Sequence, residues 1–261
     1  ATDSLYGQAI LNPAARLTLT GGLRYDHARS FGGHVTAAAN GAWVLGTDTT
    51  LRASFAQGFK APTLYQLYAP FYGTATLRPE TANSFDGGIE HIISNNIHLR
   101  ATYFYRTTHN LIDFDPASFT YSNIARARAH GLELEANGQV ARGLILAANY
   151  THSASINPDT GKDLARRPRD VANLSLDWVA ARAQGLKFGG TLSYNGPRFD
   201  DAANLVPLGS YWLLGARASF PLNAHLELYG RIENALDEQY QVVKHYGTLG
   251  RAAYAGVRVK L

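Results

Sequence analysis

The chain has 261 residues, 46% of them apolar and none of them cysteine; it suits one large β domain or two ordinary ones, and gross disorder, disulfides, thiol catalysis and Cys-type zinc sites are excluded. Charged residues make up 17%, below the roughly 25% typical of soluble domains, while tyrosine is abundant at 15. The net charge of +4 is spread along the chain and no Lys/Arg-rich run occurs, which excludes a nucleic-acid module.

A two-residue rhythm begins almost at once. In 17–25 Leu17, Leu19, Leu23 and Tyr25 alternate with Thr18, Thr20, Gly22 and Arg24. In 97–106 Ile97, Leu99, Ala101, Tyr103 and Tyr105 alternate with His98, Arg100, Thr102 and Arg106. In 186–195 Leu186, Phe188, Leu192 and Tyr194 stand against Lys187, Thr191, Ser193 and Asn195, and the chain closes on Ala253, Ala255, Val257, Val259 and Leu261 against Arg258 and Lys260. A period of two places such rows on opposite faces of extended strands. About thirteen segments follow it: 4–11, 16–27, 34–45, 49–58, 82–93, 97–108, 126–137, 143–152, 170–179, 186–196, 210–220, 225–234 and 251–261. No helical period competes, and no run of about 18 apolar residues predicts a transmembrane helix.

The connections alternate in length. "NPAAR" (12–16), "LGTD" (45–48), "ISNN" (93–96), "GQVAR" (138–142), "VAARAQG" (179–185) and "PLNAH" (221–225) are short; 28–33, 59–81, 109–125, 153–169, 197–209 and 235–250 lie between them and are mostly long. Short turns on one rim and long loops on the other predict an all-β, transmembrane antiparallel barrel of the outer membrane. A soluble sandwich or propeller also alternates. Segment lengths near the 9–11 residues of a tilted spanning strand favour the membrane. So do the charges along the polar rows, and Trp43, Trp178, Trp212 and Phe220 at segment ends. The apolar row then faces lipid and the polar row the interior, while strand pairing satisfies the backbone.

If "NPAAR" is a periplasmic turn, thirteen strands start outside and end in the periplasm, whereas single-chain bacterial barrels have even strand numbers. With no methionine and no signal peptide, the sequence reads as a processed protein or a piece of a larger barrel. A self-contained porin of 12–14 strands is the alternative of a different class.

Six stretches resemble the C-terminal barrel of TonB-dependent outer-membrane receptors: "FAQGFKAPTLYQLY" (55–68), "LRPETANSFDGGIE" (77–90), "IARARAHGLELEAN" (124–137), "LARRPRDVANLSLDW" (164–178), "IENALDEQYQ" (232–241) and "GRAAYAGVRVKL" (250–261). They stand in the family's order over nearly the whole chain, and 55–68, 124–135 and 232–254 look nearest to cobalamin (vitamin B12) receptors. The resemblance implies a barrel covering 1–261 as the last thirteen of 22 strands, with the plug domain and TonB box outside this chain. It implies TonB-dependent uptake of a scarce bulky nutrient: cobalamin first, a ferric siderophore or haem as the alternative, and no resident cofactor. The implied partners are membrane lipid, lipopolysaccharide, the plug and TonB. Ending in Leu261, the chain departs from the usual aromatic terminus.

Catalytic motifs are missing: there is no G-x-S-x-G, H-E-x-x-H, P-loop or EF-hand spacing, so the reading is a receptor and not an enzyme. Phe59, Tyr65, Tyr68, Phe71 and Tyr72 in the loop 59–76 offer rigid contact area for a bulky ligand, or else pack the loop onto the rim. Arg166 and Arg167, with Arg169, could face an anionic ligand or lipopolysaccharide phosphates; the resemblance favours pairing of Arg166 or Arg167 with interior carboxylates. Arg100, Arg106, Glu133, Glu135, Asp177, Arg231 and Glu233 are expected on the inner wall, as a charge network that also grips the plug. Asp113 and Asp115 beside Asn110 form too common a pattern to specify calcium, and His109 and His245 stand without a second ligand at metal spacing.

Overall fold

A computed structural model describes residues 2–28, 31–94, 97–115, 118–180 and 185–259. Fifteen strands are assigned among them: β1 Thr2–Ala14, β2 Leu17–Ala28, β3 Gly32–Leu45, β4 Thr49–Lys60, β5 Glu80–Ile93, β6 Ile97–Asp115, β7 Thr120–Ala141, β8 Leu144–Ile156, β9 Asp170–Ala180, β10 Leu186–Asn195, β11 Arg198–Phe199, β12 Pro207–Leu208, β13 Tyr211–Pro221, β14 Leu226–Glu233 and β15 Ala252–Val259. One short helix, α1, spans Leu64–Tyr68. Thirteen strands make one sheet in the order β1 to β10, β13, β14, β15, each hydrogen-bonded to its neighbours in sequence, and β11 pairs β12 separately. All thirteen segments expected from periodicity are therefore strands of one meander. Pairing is antiparallel from β1 through β4, and again from β8 through β9, β10, β13, β14 and β15.

Three expectations need correction. The long loop expected at 109–125 is mostly strand, because β6 runs on to Asp115 and β7 starts at Thr120. Residues 138–141 of the expected turn "GQVAR" extend β7. The loops 59–81 and 197–209 contain α1 and the β11–β12 ladder. The reading of Leu261 lies outside the described residues, as do 95–96 of "ISNN" and 181–184 of "VAARAQG".

The fold comprises two compact units: residues 1–90, 102–131 and 154–162, and residues 91–101, 132–153 and 163–261. In the first, register aligns apolar residues into one row: Leu5 opposite Tyr25, Leu11 opposite Leu19, Leu19 opposite Gly41, Gly41 opposite Ala53 and Trp43 opposite Leu51. These side chains are not covered; Leu5 is 75% and Leu23 62% exposed. On the other row Arg52 meets Glu90 at 3.1 Å, Ser54 donates to Asp86 and Lys60 meets Glu80 at 3.1 Å. The turn between β1 and β2 holds Arg16 at φ 71, and its guanidinium donates to Gly46 O of the next short turn.

The second unit repeats the scheme. Trp178, Phe188 and Ala218 are in register, as are Leu174, Leu192 and Leu214 and then Ala172, Tyr194 and Trp212. Trp178 stacks on Phe188 at 6.0 Å and Tyr194 lies on Trp212 at 4.6 Å. About 20 Å of strand separates those aromatic pairs at roughly 3.3 Å per residue, which at a tilt of about 40° covers roughly 15 Å of height and fits within the apolar band of a membrane barrel. On the opposite row Asp177, Gly189 and Arg217 are in register. Arg217 reaches across the glycine to Asp177 at 2.6 Å, and a Cβ on Gly189 would stand 2.5 Å from the Arg217 Nε. A side chain at 189 would displace the Arg217 and Asp177 ends from this arrangement.

A soluble sandwich hides its apolar rows between layers. Among the described residues no large side chain is fully buried, and the cluster of buried apolar residues is small: Leu67, Leu77 and Ile112. Sheet rows that are apolar yet uncovered agree with a wall solvated by lipid.

Candidate functional site

In the first unit the segment between β4 and β5 is built from its capping chemistry. The Thr63 hydroxyl accepts from Gln66 N at 3.1 Å and the Gln66 side chain accepts from Thr63 N at 2.9 Å, a reciprocal capping box that starts α1 just after Pro62. The chain then curls back, with Gly73 N donating to Ala69 O and Thr74 N to Gln66 O. Gly73 is required there, because a Cβ would lie 2.6 Å from Ala69 N. Phe71 sits at φ 69, a left-handed conformation that costs an L-residue about 1–2 kcal/mol.

Leu67 and Leu77 anchor this segment on Ile112, with Phe31 and Tyr121 packed at the edge. Polar staples complete the seat. Tyr121 N donates to Tyr72 O, Asn123 bonds Arg78 N, Arg78 O and Asn110 O, and Glu80 accepts from Ile112 N. The anchors are thus leucines and amides, and the aromatics are left outside: Phe71 is 91%, Tyr68 66% and Tyr65 60% exposed. Tyr65 meets Tyr121 edge-on at 6.1 Å, and Tyr72 leans on Phe114, also at 6.1 Å. Phe59 is set apart from them, half-buried and stacked 4.3 Å from His34.

Phe114, Phe119 and Tyr121 join this aromatic surface, and sequence reasoning missed them. Their spacing was a signal, hidden by reading 109–125 as an unstructured connection. Asp113 accepts from the adjacent Phe114 N and Asp115 accepts from Ser118, so each has a local partner.

In the second unit Arg166, at φ 61, donates through Nε to Asp200 at 2.7 Å and through its backbone to Phe199 O. Arg167 is exposed. Arg169 donates to Asp163 at 2.9 Å, and that hydrogen-bonded carboxylate holds the guanidinium above its ordinary pKa. Asn204 clasps Asp163 through both backbone N and O. Asp201 accepts from Val206 N and Leu205 N; burial pushes its carboxyl up, but these backbone bonds outweigh that and leave it below the usual value.

The motif "NALDEQYQ" also becomes legible as structure. Asn234, 8% exposed at φ 47, donates to Glu238 O and Leu249 O and accepts from Glu238 N. Asp237 accepts from Arg251 N, and Tyr240 lies 4.3 Å from Tyr211, over which Arg198 also sits. Arg198 is buried and donates to Gln241 O at 2.8 Å. These residues fasten a loop.

The expected wall charges divide. Arg100 pairs Glu135 at 3.6 Å, Asp177 pairs Arg217, and Arg231 pairs Glu233 at 3.4 Å while lying over the Tyr254 ring. Arg106 is exposed and Glu133 half-buried, and neither enters these pairs. A pair not anticipated is Arg258–Glu227 at 3.1 Å, with the Glu227 side chain 5% exposed.

The family model described as "TonB dependent receptor-like, beta-barrel" matches residues 1–235. The chain belongs to that family. Barrels of this family are outer-membrane proteins, and the family comprises transport receptors, which replaces the reading as a self-contained porin.

Solved structures similar to this chain include three iron-uptake receptors. A variant of the ferric enterobactin receptor PfeA from Pseudomonas aeruginosa has TM-score 0.83 at 24% identity, covering 99% of this chain and 44% of its own. The ferric-catecholate import receptor Fiu from E. coli K12 has 0.79 at 18%, covering 99% and 44%. The siderophore receptor PirA from P. aeruginosa has 0.76 at 24%, covering 100% and 46%. At such identity the likeness carries the fold, and the chain spans less than half the length of each of these three proteins.

Proposed function

We propose that the protein carrying this chain is an outer-membrane receptor for TonB-dependent uptake of a ferric siderophore, gripped in part by the aromatic surface of residues 65–72. The observation that carries this reading is the division of labour in that segment. Leu67 and Leu77 hold it down, so Tyr65, Tyr68 and Phe71 are not needed for packing and stand exposed on a seated backbone. Exposed rigid aromatics suit recognition of a bulky, planar-armed complex at small entropic cost.

Cobalamin, the first expectation, gives way to the siderophore because similar structures include receptors named for ferric enterobactin, ferric catecholate and siderophore, beside a copper transporter. Tyr72 supports the surface from beside Phe114, and Phe59 acts as a rim residue through His34. Arg167 offers a separate exposed cation to an anionic group, whereas Arg166 is committed to Asp200. Arg100, Glu135, Asp177, Arg231 and Glu233 line the inner wall, with Arg106 and Glu133 left to contact the plug. The plug, the TonB contact and the further strands of a 22-stranded barrel belong to the rest of the protein.

Titrating the intact receptor with a ferric catecholate, a ferric hydroxamate and cyanocobalamin tests this. Saturable binding of a ferric complex, weakened by Phe71→Ala, is expected. Binding of cyanocobalamin with no binding of either ferric complex overturns the reading.

A further inference from the structure

The loop between β14 and β15 does more than fasten itself. It forms one side of a cleft of about 410 Å³, whose other side is the chain from Pro207 to Ser210. Both sides are fixed by the fold. Leu208 is 3% exposed and pairs with Arg198 in the β11–β12 ladder. Arg198 in turn donates to Gln241 O, and the Thr248 hydroxyl donates to Tyr240 O at 2.7 Å. Tyr211 pairs with Asn195 and so belongs to the polar row of Gly189 and Arg217. Tyr240 rests on Tyr211, which brings the loop over the inner face at the strand ends opposite the short turns.

The polar groups of this cleft are unspent. Ser210, Gln239, Gln241 and Lys244 line it, and among the described residues no carboxylate does. Lys244 is half-buried yet has no ion-pair partner among those residues, and the side chains of Ser210, Gln239 and Gln241 make no hydrogen bond there. A half-buried ammonium without a counter-charge keeps its attraction for an anion unused. One lysine is a point charge and suits a single carboxylate, whereas a phosphate is better matched by an arginine fork. The amides and the hydroxyl around it both donate and accept, as the hydroxyls of a polyol require. A Cβ at Gly209 or Gly247 would meet nothing within 4 Å, so these glycines widen the cleft and do not pack the loop.

We propose that this cleft binds a hydroxylated carboxylate of sugar-acid size, with Lys244 on the carboxylate and Gln239, Gln241 and Ser210 on the hydroxyls. Its volume lies in the range of small-molecule sites. The inference goes beyond uptake of a ferric siderophore and needs nothing from Tyr65, Tyr68 or Phe71.

The test is isothermal titration of the intact receptor in detergent with gluconate, ferric gluconate, glucose, acetate and inorganic phosphate. Gluconate is expected to bind saturably. Glucose, which lacks the charge, and acetate, which lacks the hydroxyls, should each bind about ten-fold more weakly, and phosphate no better than acetate. Ferric gluconate binding no tighter than gluconate assigns the group to a free acid; tighter binding assigns it to an arm of a metal complex, and either supports the site. Lys244→Gln should lose about ten-fold in affinity for gluconate, with Lys244→Arg intermediate, and Gln239→Ala about five-fold. Phe71→Ala should leave gluconate binding unchanged, so failure of this site and failure of the aromatic surface are read separately. No saturable gluconate binding, equal binding of glucose or phosphate, or an unaffected Lys244→Gln overturns the proposal. Heat-modifiable migration on gels reports folding, and if Lys244→Gln does not fold, the same comparison is read on Gln239→Ala.

Discussion

The segment around α1 and the loop from Asn234 to Arg251 solve one problem in opposite ways. Both are long connections carrying family motifs and aromatic residues. Around α1 the aromatics are shed to the surface and leucines do the holding. Around Asn234 the motif residues are themselves the fasteners: a buried amide with three loop bonds, a carboxylate on Arg251 N and a tyrosine on a tyrosine. A motif match alone therefore does not separate ligand contacts from staples; burial and partners do.

Replacing the fastener should have the largest effect. Asn234→Ala strands two carbonyls and an amide and puts alanine at φ 47, so a local loss of roughly 2–4 kcal/mol is expected. Hydrogen exchange across 235–250 would rise while exchange in residues 61–79 stays unchanged. Leu67→Ala comes next, at roughly 2–3 kcal/mol for a buried leucine in a small cluster. It should release α1 to limited proteolysis and lower ligand affinity indirectly.

Phe71→Gly sharpens the contrast. It removes an unfavourable φ and an exposed ring together, so thermal stability should hold or rise by up to about 1 kcal/mol. Affinity for the ferric complex should fall about five-fold, as for loss of a contact worth about 1 kcal/mol. Reduced stability with unchanged affinity would make Phe71 a staple like Asn234.

The smallest effect concerns Asp201. Its folded carboxyl titrates below the ordinary value, so its contribution is fully present above about pH 3.9 and is lost as pH falls through the lower folded value. Amide protection at Leu205 and Val206 should be flat from pH 7 to 5 and drop only in stronger acid. A drop near neutrality would contradict the assignment.

The strands were legible because lipid and lumen impose opposite demands on alternate residues, and the rows Leu186–Tyr194 and Leu17–Tyr25 carry that rhythm, broken only by Gly190 and Gly21. Past the membrane the demand lapses. Residues 109–125 keep the ladder but lose the alternation, which is why β6 and β7 run further than their pattern predicts. One helical turn and a half at α1 is too short to show a period. The wall charges could be placed on a face, but Arg217 as the partner of Asp177 required the register across Gly189. The aromatics of 65–72 were visible as candidates; that leucines seat the loop was not, because apolar residues in a loop carry no periodic signal.

The central claim is the direction of the two rows, and the chain's lack of cysteine makes it directly measurable. Spin labels placed singly at Lys187, Phe188, Ser193 and Tyr194 of the intact receptor in bilayers would report collisions with oxygen and with a water-soluble nickel chelate. The account predicts oxygen-rich, nickel-poor signals at 188 and 194 and the reverse at 187 and 193. Equal accessibility along the strand, or the opposite alternation, would contradict it.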